Sequence, residues 1–289
     1  MNGAVGFVGL GTMGKPMARR LLAWPHGLYV YDVAPEPVAE LAAAGAKAAA
    51  SPAELARAVG LVCVMVRDDD QARTVLGELA EAAEEGLIVV LHSTVAPGTP
   101  AQLAADHRVR ILDAPVSGGA MGAGPGTLAI MVGGPEEAFA DAKDVLALLG
   151  SRVVHAGPVG AGTAMKLARN LLHFTAFTAA TEAQRLAEAA GIDLVALGKV
   201  VRHTDAVTGG PGAIMHRAST AELAPDDPWY GLFAHAATLG EKDLGFALEL
   251  GERLGVDLPL ARLALDRLGP GLGLPDGENS LGLPNRGNA

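Results

Sequence analysis

The chain has 289 residues, enough for two domains of ordinary size and a sizeable hydrophobic core. Asp and Glu outnumber Lys and Arg by 32 to 22, and this acidic balance argues against nucleic acid or an anionic membrane surface as a partner. The single cysteine, Cys63, excludes an internal disulfide framework, and its apolar neighbours predict a buried strand thiol.

Nothing in the sequence predicts membrane insertion, export or a metal site. The apolar runs are shorter than the roughly 20 residues that a membrane-spanning helix needs, or glycine interrupts them. The run 4–9 already has the character of a strand, so we expect no signal peptide before it. No pair of histidines has metal-ligand spacing beside a third ligand. These features predict a cytoplasmic protein without a metal.

The first half of the chain alternates short β-branched runs with Ala- and Leu-rich helical stretches. The predicted strands are 5–8, 28–31, 61–66, 87–91, 110–112, 128–132 and 152–155. Strands that alternate with helices predict βαβ units and a mainly parallel sheet. The runs 61–66 and 87–91 are apolar almost throughout, which is typical of strands buried on both faces.

Strand signals disappear after Gly162. Residues 163–190 form one uninterrupted helical pattern, about 42 Å long, which ends at Gly191. We therefore expect an α/β fold, with a Rossmann domain at 1–162 and an all-α domain at 163–289 joined by this long interdomain helix. Further helices are predicted at 193–203, 212–222, 232–254 and 259–268, and Gly, Pro and Asn predict a frayed tail at 269–289.

A glycine-rich turn follows the first strand and precedes a helical pattern. It consists of Gly9, Leu10, Gly11, Thr12, Met13 and Gly14. Gly9 suits the tight turn, Gly11 lets the backbone approach a pyrophosphate, and Gly14 lets the helix pack on the strand. An acidic residue, Asp32, ends the second strand, at the spacing of the dinucleotide-binding fingerprint. This pattern predicts a nicotinamide dinucleotide site.

Asp32 also predicts which dinucleotide is bound. A carboxylate at this position accepts hydrogen bonds from the adenosine ribose hydroxyls and repels a 2′-phosphate. Val33 and Ala34 follow, so no adjacent arginine is available to pair with that phosphate. NAD is therefore favoured over NADP. The alternative is that Asp32 is a solvated residue at the end of a strand.

A lysine and an asparagine lie four residues apart at the start of the long helix. This spacing places Lys166 and Asn170 on one helical face. The neighbours Met165 and Leu167 are apolar, so Lys166 lies in a poorly solvated stretch. From the residues alone, an acid/base lysine and an ordinary surface lysine both remain open.

Four motifs, in order, resemble the β-hydroxyacid dehydrogenases, the family of 3-hydroxyisobutyrate dehydrogenase and tartronate semialdehyde reductase. They are 9–18, 113–119, 160–170 and 242–244, and together they span about residues 3 to 268. The resemblance implies that Lys166 is the catalytic proton donor or acceptor and that Asn170 holds the substrate. It also implies that Ser117, Gly118 and Gly119 bind the substrate carboxylate, and a glycine turn is suited to binding anions.

The resemblance implies further cofactor contacts. Ser93 and Thr94, after the strand 87–91, match a Ser-Thr pair beside the nicotinamide, and Lys242 matches a lysine that closes on the cofactor. Val66 lies in a cofactor loop where the family usually has Leu-Pro and this chain has Val-Arg67. Two further departures are Arg169, where the family commonly has Asn, and His235, near the place of an aromatic residue.

These observations predict an NAD-dependent dehydrogenase that interconverts a small 3-hydroxy acid and its semialdehyde, with Lys166 as general acid/base. The resemblance implies a homodimer or homotetramer. Two alternatives remain: an imine reductase of the same architecture, which usually replaces the lysine with Asp or Tyr, and a non-catalytic NAD-sensing protein. Decarboxylating chemistry of the 6-phosphogluconate type would need a basic phosphate-binding cluster, which the sequence does not show.

Overall fold

The computed structural model describes residues 3–275. The chain folds into two compact units, Met1–Asn170 and Leu171–Ala289. The boundary predicted from the sequence, after Gly162, lies eight residues earlier. The difference arises because the first turns of the long helix are hydrogen-bonded to the sheet of the first unit.

The described part of the first unit contains a nine-stranded sheet with helices between its strands. The strands are β1 (Val5–Val8), β2 (Leu28–Tyr31), β3 (Lys47–Ala48), β4 (Leu61–Val64), β5 (Ile88–Leu91), β6 (Arg110–Asp113), β7 (Val116–Ser117), β8 (Ala129–Gly133) and β9 (Arg152–Gly157). The helices are α1 (Gly14–Arg20), α2 (Pro35–Ala43), α3 (Pro52–Ala58), α4 (Asp69–Ala82), α5 (Thr99–Asp106), α6 (Gly119–Ala123) and α7 (Glu136–Leu149), and α8 (Ala161–Ala189) begins here.

The strand order is β3-β2-β1-β4-β5-β6-β8-β7, with β9 paired to β8. Strands β1 to β6 are parallel, whereas β8 runs antiparallel to β6 and β7. The chain proceeds outward from β1 in one direction and then returns to continue from β4 in the other. This reversal creates the crevice at the carboxyl ends of the strands where doubly wound sheets bind ligands. The predicted Rossmann domain with a mainly parallel sheet is confirmed.

The core of this unit lies on both faces of the central strands. Every residue of β1, β4 and β5 is buried, because helices cover the sheet on both sides. Cys63 lies within this core, in β4, as predicted. The prediction missed β3 and β7, since two-residue strands are too short to show an alternating pattern.

The described residues of the second unit, 171–275, contain helices and no strand, as predicted. The unit contains α8 from Leu171 onward, together with α9 (Leu194–Thr208), α10 (Tyr230–Leu254) and α11 (Pro259–Gly271). Glu182 of α8 is buried, and its two carboxylate oxygens accept hydrogen bonds from the backbone N–H groups of Leu260 and Ala261. This carboxylate satisfies two free donors in the first turn of α11 and fixes α11 against α8. No helix among residues 3–275 is long and apolar enough to cross a membrane.

The predicted helix at 212–222 is wrong. The structure has a single 3₁₀ turn, Gly210–Gly212, followed by turns and extended chain up to residue 229. Glycines and Pro211 disfavour an α-helix at the start of this segment. Its apolar residues Ile214 and Met215 are exposed, so the burial of an apolar face does not compensate for this low helix propensity.

The frayed tail predicted from residue 269 is wrong for residues 269–275. Helix α11 continues to Gly271 rather than ending at Leu268, and Leu272 is only 4% exposed, in a small cluster with Leu223 and Phe233. The burial of Leu272 keeps residues 269–275 ordered despite their glycine content. Residues 276–289 of the predicted tail lie outside the described residues.

Candidate functional site

The loops after five parallel strands lie side by side at one edge of the sheet. Backbone hydrogen bonds continue the strand ladder past its last residues and hold these loops in register. The bonds join Gly9 N to Tyr31 O (3.0 Å), Met65 N to Val8 O (2.9 Å), His92 N to Val64 O (2.8 Å) and Ala114 N to Leu91 O (2.8 Å). The sequence-predicted residues 9–14, 32, 66, 93 and 94 therefore share one edge of the first unit.

The glycine turn leaves no room for side chains at two positions and open space at a third. Gly9 has φ +90°, and a Cβ atom there would overlap the Met65 carbonyl oxygen. A Cβ atom on Gly14 would overlap the Gly9 carbonyl oxygen. Gly11 has no neighbouring atom within 4 Å of a Cβ position, so the backbone is open to a ligand there. The turn thus fits the pyrophosphate of a dinucleotide.

Asp32 is held by the backbone at the end of β2. One carboxylate oxygen accepts a hydrogen bond from Leu10 N, within the glycine turn, and the other accepts one from Ala34 N at 2.8 Å. Each oxygen keeps a further lone pair for a ligand hydroxyl. Val33 is 89% exposed and, like Ala34, carries no charge, so the surroundings of Asp32 fit a ribose diol.

Ser93 joins two of the cofactor loops. Its buried hydroxyl donates a hydrogen bond to Val66 O and accepts one from Val66 N, both at 2.8 Å. The hydroxyl therefore positions the loop after β4, while Thr94 is exposed and free to contact a ligand. That these three residues contact the cofactor stays a prediction.

His92 is buried between the same strands. Its Nδ1 atom lies 2.8 Å from the Ala114 carbonyl oxygen, which can only accept, so Nδ1 carries the proton. Its Nε2 atom has no partner within residues 3–275. Burial lowers the pKa of His92 to about 4, and the imidazole is neutral at pH 7. We infer a packing role for His92.

Asp113 fixes the start of the lysine helix, a role that was not predicted from the sequence. The carboxylate is fully buried and accepts hydrogen bonds from Gly160 N at 2.7 Å and Thr163 N at 2.6 Å. A negative charge here also interacts favourably with the positive end of the helix dipole. A Cβ atom on Gly162 would overlap the Asp113 carbonyl oxygen, so glycine permits this close approach. The sequence did contain a signal for this role, because Asp113 is a single acidic residue at the end of a buried strand, and a buried acid needs hydrogen-bond donors.

Lys166 is 8% exposed, in the second turn of α8, and faces residues 117–119. We call these residues the substrate loop, because the family resemblance predicts that they bind the substrate carboxylate. Its Nζ atom donates hydrogen bonds to the Val116 carbonyl oxygen at 2.6 Å and to the Ser117 hydroxyl at 2.9 Å. Burial, and secondarily the positive charge of Arg169, lowers the pKa of Lys166 below that of an ordinary lysine. Lys166 is therefore not a solvated surface charge. Val116 was not predicted as part of the site, because a carbonyl acceptor has no sequence signature.

The substrate loop depends on glycine. Gly118 has φ +131° and Gly119 has φ +60°, both in the left-handed region that favours glycine. They follow Ser117 at the end of β7 and lead into α6, and both are exposed. The loop is therefore accessible and lies beside the Lys166 ammonium.

Two predicted residues lie farther along the chain. Asn170, one helical turn after Lys166, is half-buried, and its Oδ1 atom accepts a hydrogen bond from Arg169 at 3.3 Å. Lys242 belongs to the second unit, in α10, where its ammonium pairs with Asp243 at 3.3 Å. The ligand contacts assigned to both residues stay predictions. Among residues 3–275, no cluster of His, Cys, Asp and Glu side chains could hold a metal ion.

Two family models match almost the whole described chain. The NAD-binding domain of 6-phosphogluconate dehydrogenase matches residues 4–157, and the NAD-binding domain of NADP-dependent 3-hydroxyisobutyrate dehydrogenase matches residues 160–268. The match boundary falls between β9 and α8. Both models describe nicotinamide dinucleotide domains, in agreement with the glycine turn and Asp32.

Individual relatives cover nearly the same length. An uncharacterised oxidoreductase of Mycobacterium tuberculosis is 53% identical, over 94% of each chain. The 3-hydroxyisobutyrate dehydrogenase of Pseudomonas aeruginosa is 35% identical, over 90% of this chain and 89% of its own. A crystal structure of an oxidoreductase from Mycobacterium avium 104 superposes with a TM-score of 0.91 at 52% identity, covering 94% of this chain and 99% of that one. The chain therefore belongs to the β-hydroxyacid dehydrogenase family, the family of 3-hydroxyisobutyrate dehydrogenase, and is a nicotinamide-dependent oxidoreductase.

Proposed function

We propose that this protein is an NAD-dependent dehydrogenase that oxidises a small 3-hydroxy acid to its semialdehyde, or catalyses the reverse reduction. The observation that carries the proposal is the environment of Lys166. Its side chain is nearly buried, its pKa is lowered, and its Nζ atom is bonded to the loop of Ser117.

The hydrogen bonds of Lys166 suit a group that gains and loses one proton. An ammonium has three N–H donors, and two of them point to the Val116 carbonyl and the Ser117 hydroxyl. When Lys166 is charged, the third N–H can donate to the substrate oxygen. When it is neutral, the same position carries a lone pair that accepts the hydroxyl proton. The hydrogen bonds to Val116 and Ser117 stay the same in both protonation states, and only the bond to the substrate reverses its direction. The side chain therefore need not move during the transfer.

The residues of the first unit also suit the cofactor. Gly9, Gly11 and Gly14 would hold the pyrophosphate, and Asp32 would hold the adenosine ribose. When bound, the nicotinamide accepts or donates the hydride. The Asp32 carboxylate, with no basic side chain at Val33 or Ala34, supports NAD as the preferred form.

The substrate loop supports an acid as the substrate. Successive backbone N–H groups in a glycine turn form a concavity that binds anions. Gly118 and Gly119 have the left-handed φ angles of such a turn and are exposed. A carboxylate bound there would place the rest of a small hydroxy acid beside Lys166, since Ser117 bonds to its ammonium directly.

The test is a substrate panel with the full chain, followed as NADH absorbance. The panel contains 3-hydroxyisobutyrate, glycerate, 3-hydroxypropionate, serine and 4-hydroxybutyrate, and 2-methylpropane-1,3-diol is the control without a carboxylate. We expect turnover of at least one 3-hydroxy acid and poor turnover of the diol. No turnover of any acid would refute the proposed activity, and equal turnover of diol and 3-hydroxyisobutyrate would refute the role of the loop.

The same assay tests the cofactor. We expect kcat/KM with NAD to exceed that with NADP by at least about tenfold, which corresponds to roughly 1.4 kcal/mol. Equal values, or a preference for NADP, would show that Asp32 does not select the cofactor.

A further inference from the structure

The part of α8 that carries Lys166 has an unbalanced positive charge. From Ala161 to Thr181, the only Lys, Arg, Asp or Glu side chains are Lys166 and Arg169, and the first acidic residue of the helix is Glu182. Like charges three or four residues apart destabilise a helix, and no acidic residue one turn away on α8 offsets them. An anion from outside α8 would offset this repulsion.

The first unit does not provide that anion. Within residues 3–170, Arg169 makes no ion pair, and its guanidinium donates a hydrogen bond to the Asn170 amide oxygen at 3.3 Å. The nearby acid, Asp113, is buried and its two oxygens are bonded to the backbone N–H groups of Gly160 and Thr163. The Arg169 guanidinium is thus exposed and unneutralised, and it lies next to the two α8 residues predicted to contact the substrate.

We propose that Arg169 binds a second acidic group of the substrate, so that the preferred substrates are 3-hydroxy acids with an additional carboxylate. The inference rests on the proposed function, in which the Ser117–Gly119 loop takes the first carboxylate. An arginine is suited to this task, because its planar guanidinium can donate two parallel hydrogen bonds to one carboxylate and stays charged. A substrate with two carboxylates would supply the negative charge that α8 lacks.

The inference is tested with two substrates of nearly equal shape. These are 2-(hydroxymethyl)glutarate and 2-(hydroxymethyl)pentanoate, which differ in that a terminal carboxylate replaces a methyl group. We expect kcat/KM for the dicarboxylate to exceed that for the monocarboxylate by about 10- to 100-fold, the range of a charge-assisted hydrogen bond. A ratio near one in the wild-type protein would overturn the inference.

Variants of Arg169 show whether this residue causes the preference. In Arg169→Gln the ratio should fall to near one, and in Arg169→Lys it should be intermediate, since the charge remains but the paired donors do not. Arg57→Gln, at an exposed position of α3 and with the same charge change, should keep the wild-type ratio. If Arg169→Gln slows both substrates equally and leaves the ratio unchanged, Arg169 acts through Lys166 and the inference is wrong.

A binding measurement separates this inference from the proposed function. The ligands are 2-methylglutarate and 2-methylpentanoate, which lack the reacting hydroxyl, titrated calorimetrically into the NADH-bound protein. We expect tighter binding of 2-methylglutarate, and loss of that preference in Arg169→Gln. Such binding without turnover of any hydroxy acid would refute the proposed activity and support the acidic-group site. Turnover with equal binding of the two ligands would refute the site alone.

Discussion

The Lys166 Nζ atom is held in place by two acceptors of different kinds, a backbone carbonyl and a hydroxyl. We expect Lys166→Met to lower kcat by about 10² or more, because proton transfer by a positioned side chain typically contributes about 10²–10⁴ to the rate. Lys166→Arg should lower kcat nearly as much, since a guanidinium remains protonated and cannot act as a base. Turnover would be measured as NADH absorbance.

Cofactor binding distinguishes a chemical defect from a structural one. The glycine turn and Asp32 lie in other loops, so NADH affinity, measured by fluorescence, should change little in both Lys166 variants. Lys143→Met, on the exposed face of α7, is the matched control and should keep full activity. A Lys166→Met protein that binds NADH normally and retains more than about a tenth of the turnover would mean that another group transfers the proton.

His92 makes the stability of the protein depend on pH. Its pKa falls from 6.5 to about 4 on burial, so the unfolded chain binds a proton that the native chain does not between these two values. Stability is therefore retained above about pH 6.5 and is lost as the pH falls toward 4. From the two pKa values, we expect His92 to account for a loss of roughly 2 kcal/mol between pH 7 and pH 5.

Urea unfolding of His92→Asn at both pH values isolates this contribution. An asparagine amide can still donate to the Ala114 carbonyl but does not titrate, so the variant should lose less stability between pH 7 and pH 5 than the wild type. His203→Gln, at an exposed position of α9, is the control and should follow the wild type. Parallel pH dependences of His92→Asn and the wild-type protein would contradict the assignment.

At the scale of elements, the position of α8 depends on the contact of its first turn with β6. Asp113→Asn should lower the free energy of unfolding by about 2 kcal/mol, because the amide group cannot accept from both Gly160 N and Thr163 N and leaves a buried donor unpaired. Urea unfolding at pH 7 measures this loss. The control is Asp141→Asn, which removes a half-exposed carboxylate from its ion pair with Arg110 and should cost less than about 1 kcal/mol. Equal losses in the two variants would show that Asp113 does not anchor the helix.

At the scale of the whole molecule, the helical unit has many large apolar side chains that are exposed to solvent. Helix α9 has no buried residue, although it carries Val195, Val200 and Val207, and Phe174 and Phe177 of α8 are also more than half exposed. Exposed apolar patches on soluble proteins often mark association surfaces. We therefore expect the protein to associate through its helical unit, as the family resemblance implies.

Light scattering at micromolar concentration measures the association. The mass should be at least twice the 29.3 kDa of one chain. Val200→Glu should shift the mass toward the monomer, because the interface would have to bury an unpaired charge. Ala101→Glu, on the exposed side of α5 in the first unit, should leave the mass unchanged. A monomeric wild-type protein would refute the prediction.

The sequence correctly predicted the features that leave a pattern within one short stretch of residues. Buried parallel strands such as β4 and β5 are continuous apolar runs, and α8 is a helical pattern without a breaker up to Gly191. The glycine turn, Asp32 and the spacing of Lys166 and Asn170 are local in the same sense. The helix predicted at 212–222 does not form, because its apolar side chains are exposed and no partner surface buries them. The helical pattern in the sequence could not show that this partner surface is missing.

The arrangement around Lys166 was decided by the tertiary structure. Its two acceptors lie about 50 residues earlier in the chain, at Val116 and Ser117, and the bonds from Asp113 to the start of α8 span a similar distance. These groups meet only because β6, β7 and β8 place the substrate loop against the first turns of α8. A long-range hydrogen bond leaves no periodicity in either segment. The sequence alone therefore determined which residues could carry the chemistry. Folding determined the burial that lowers the pKa of Lys166 and the hydrogen bonds that hold it beside Ser117.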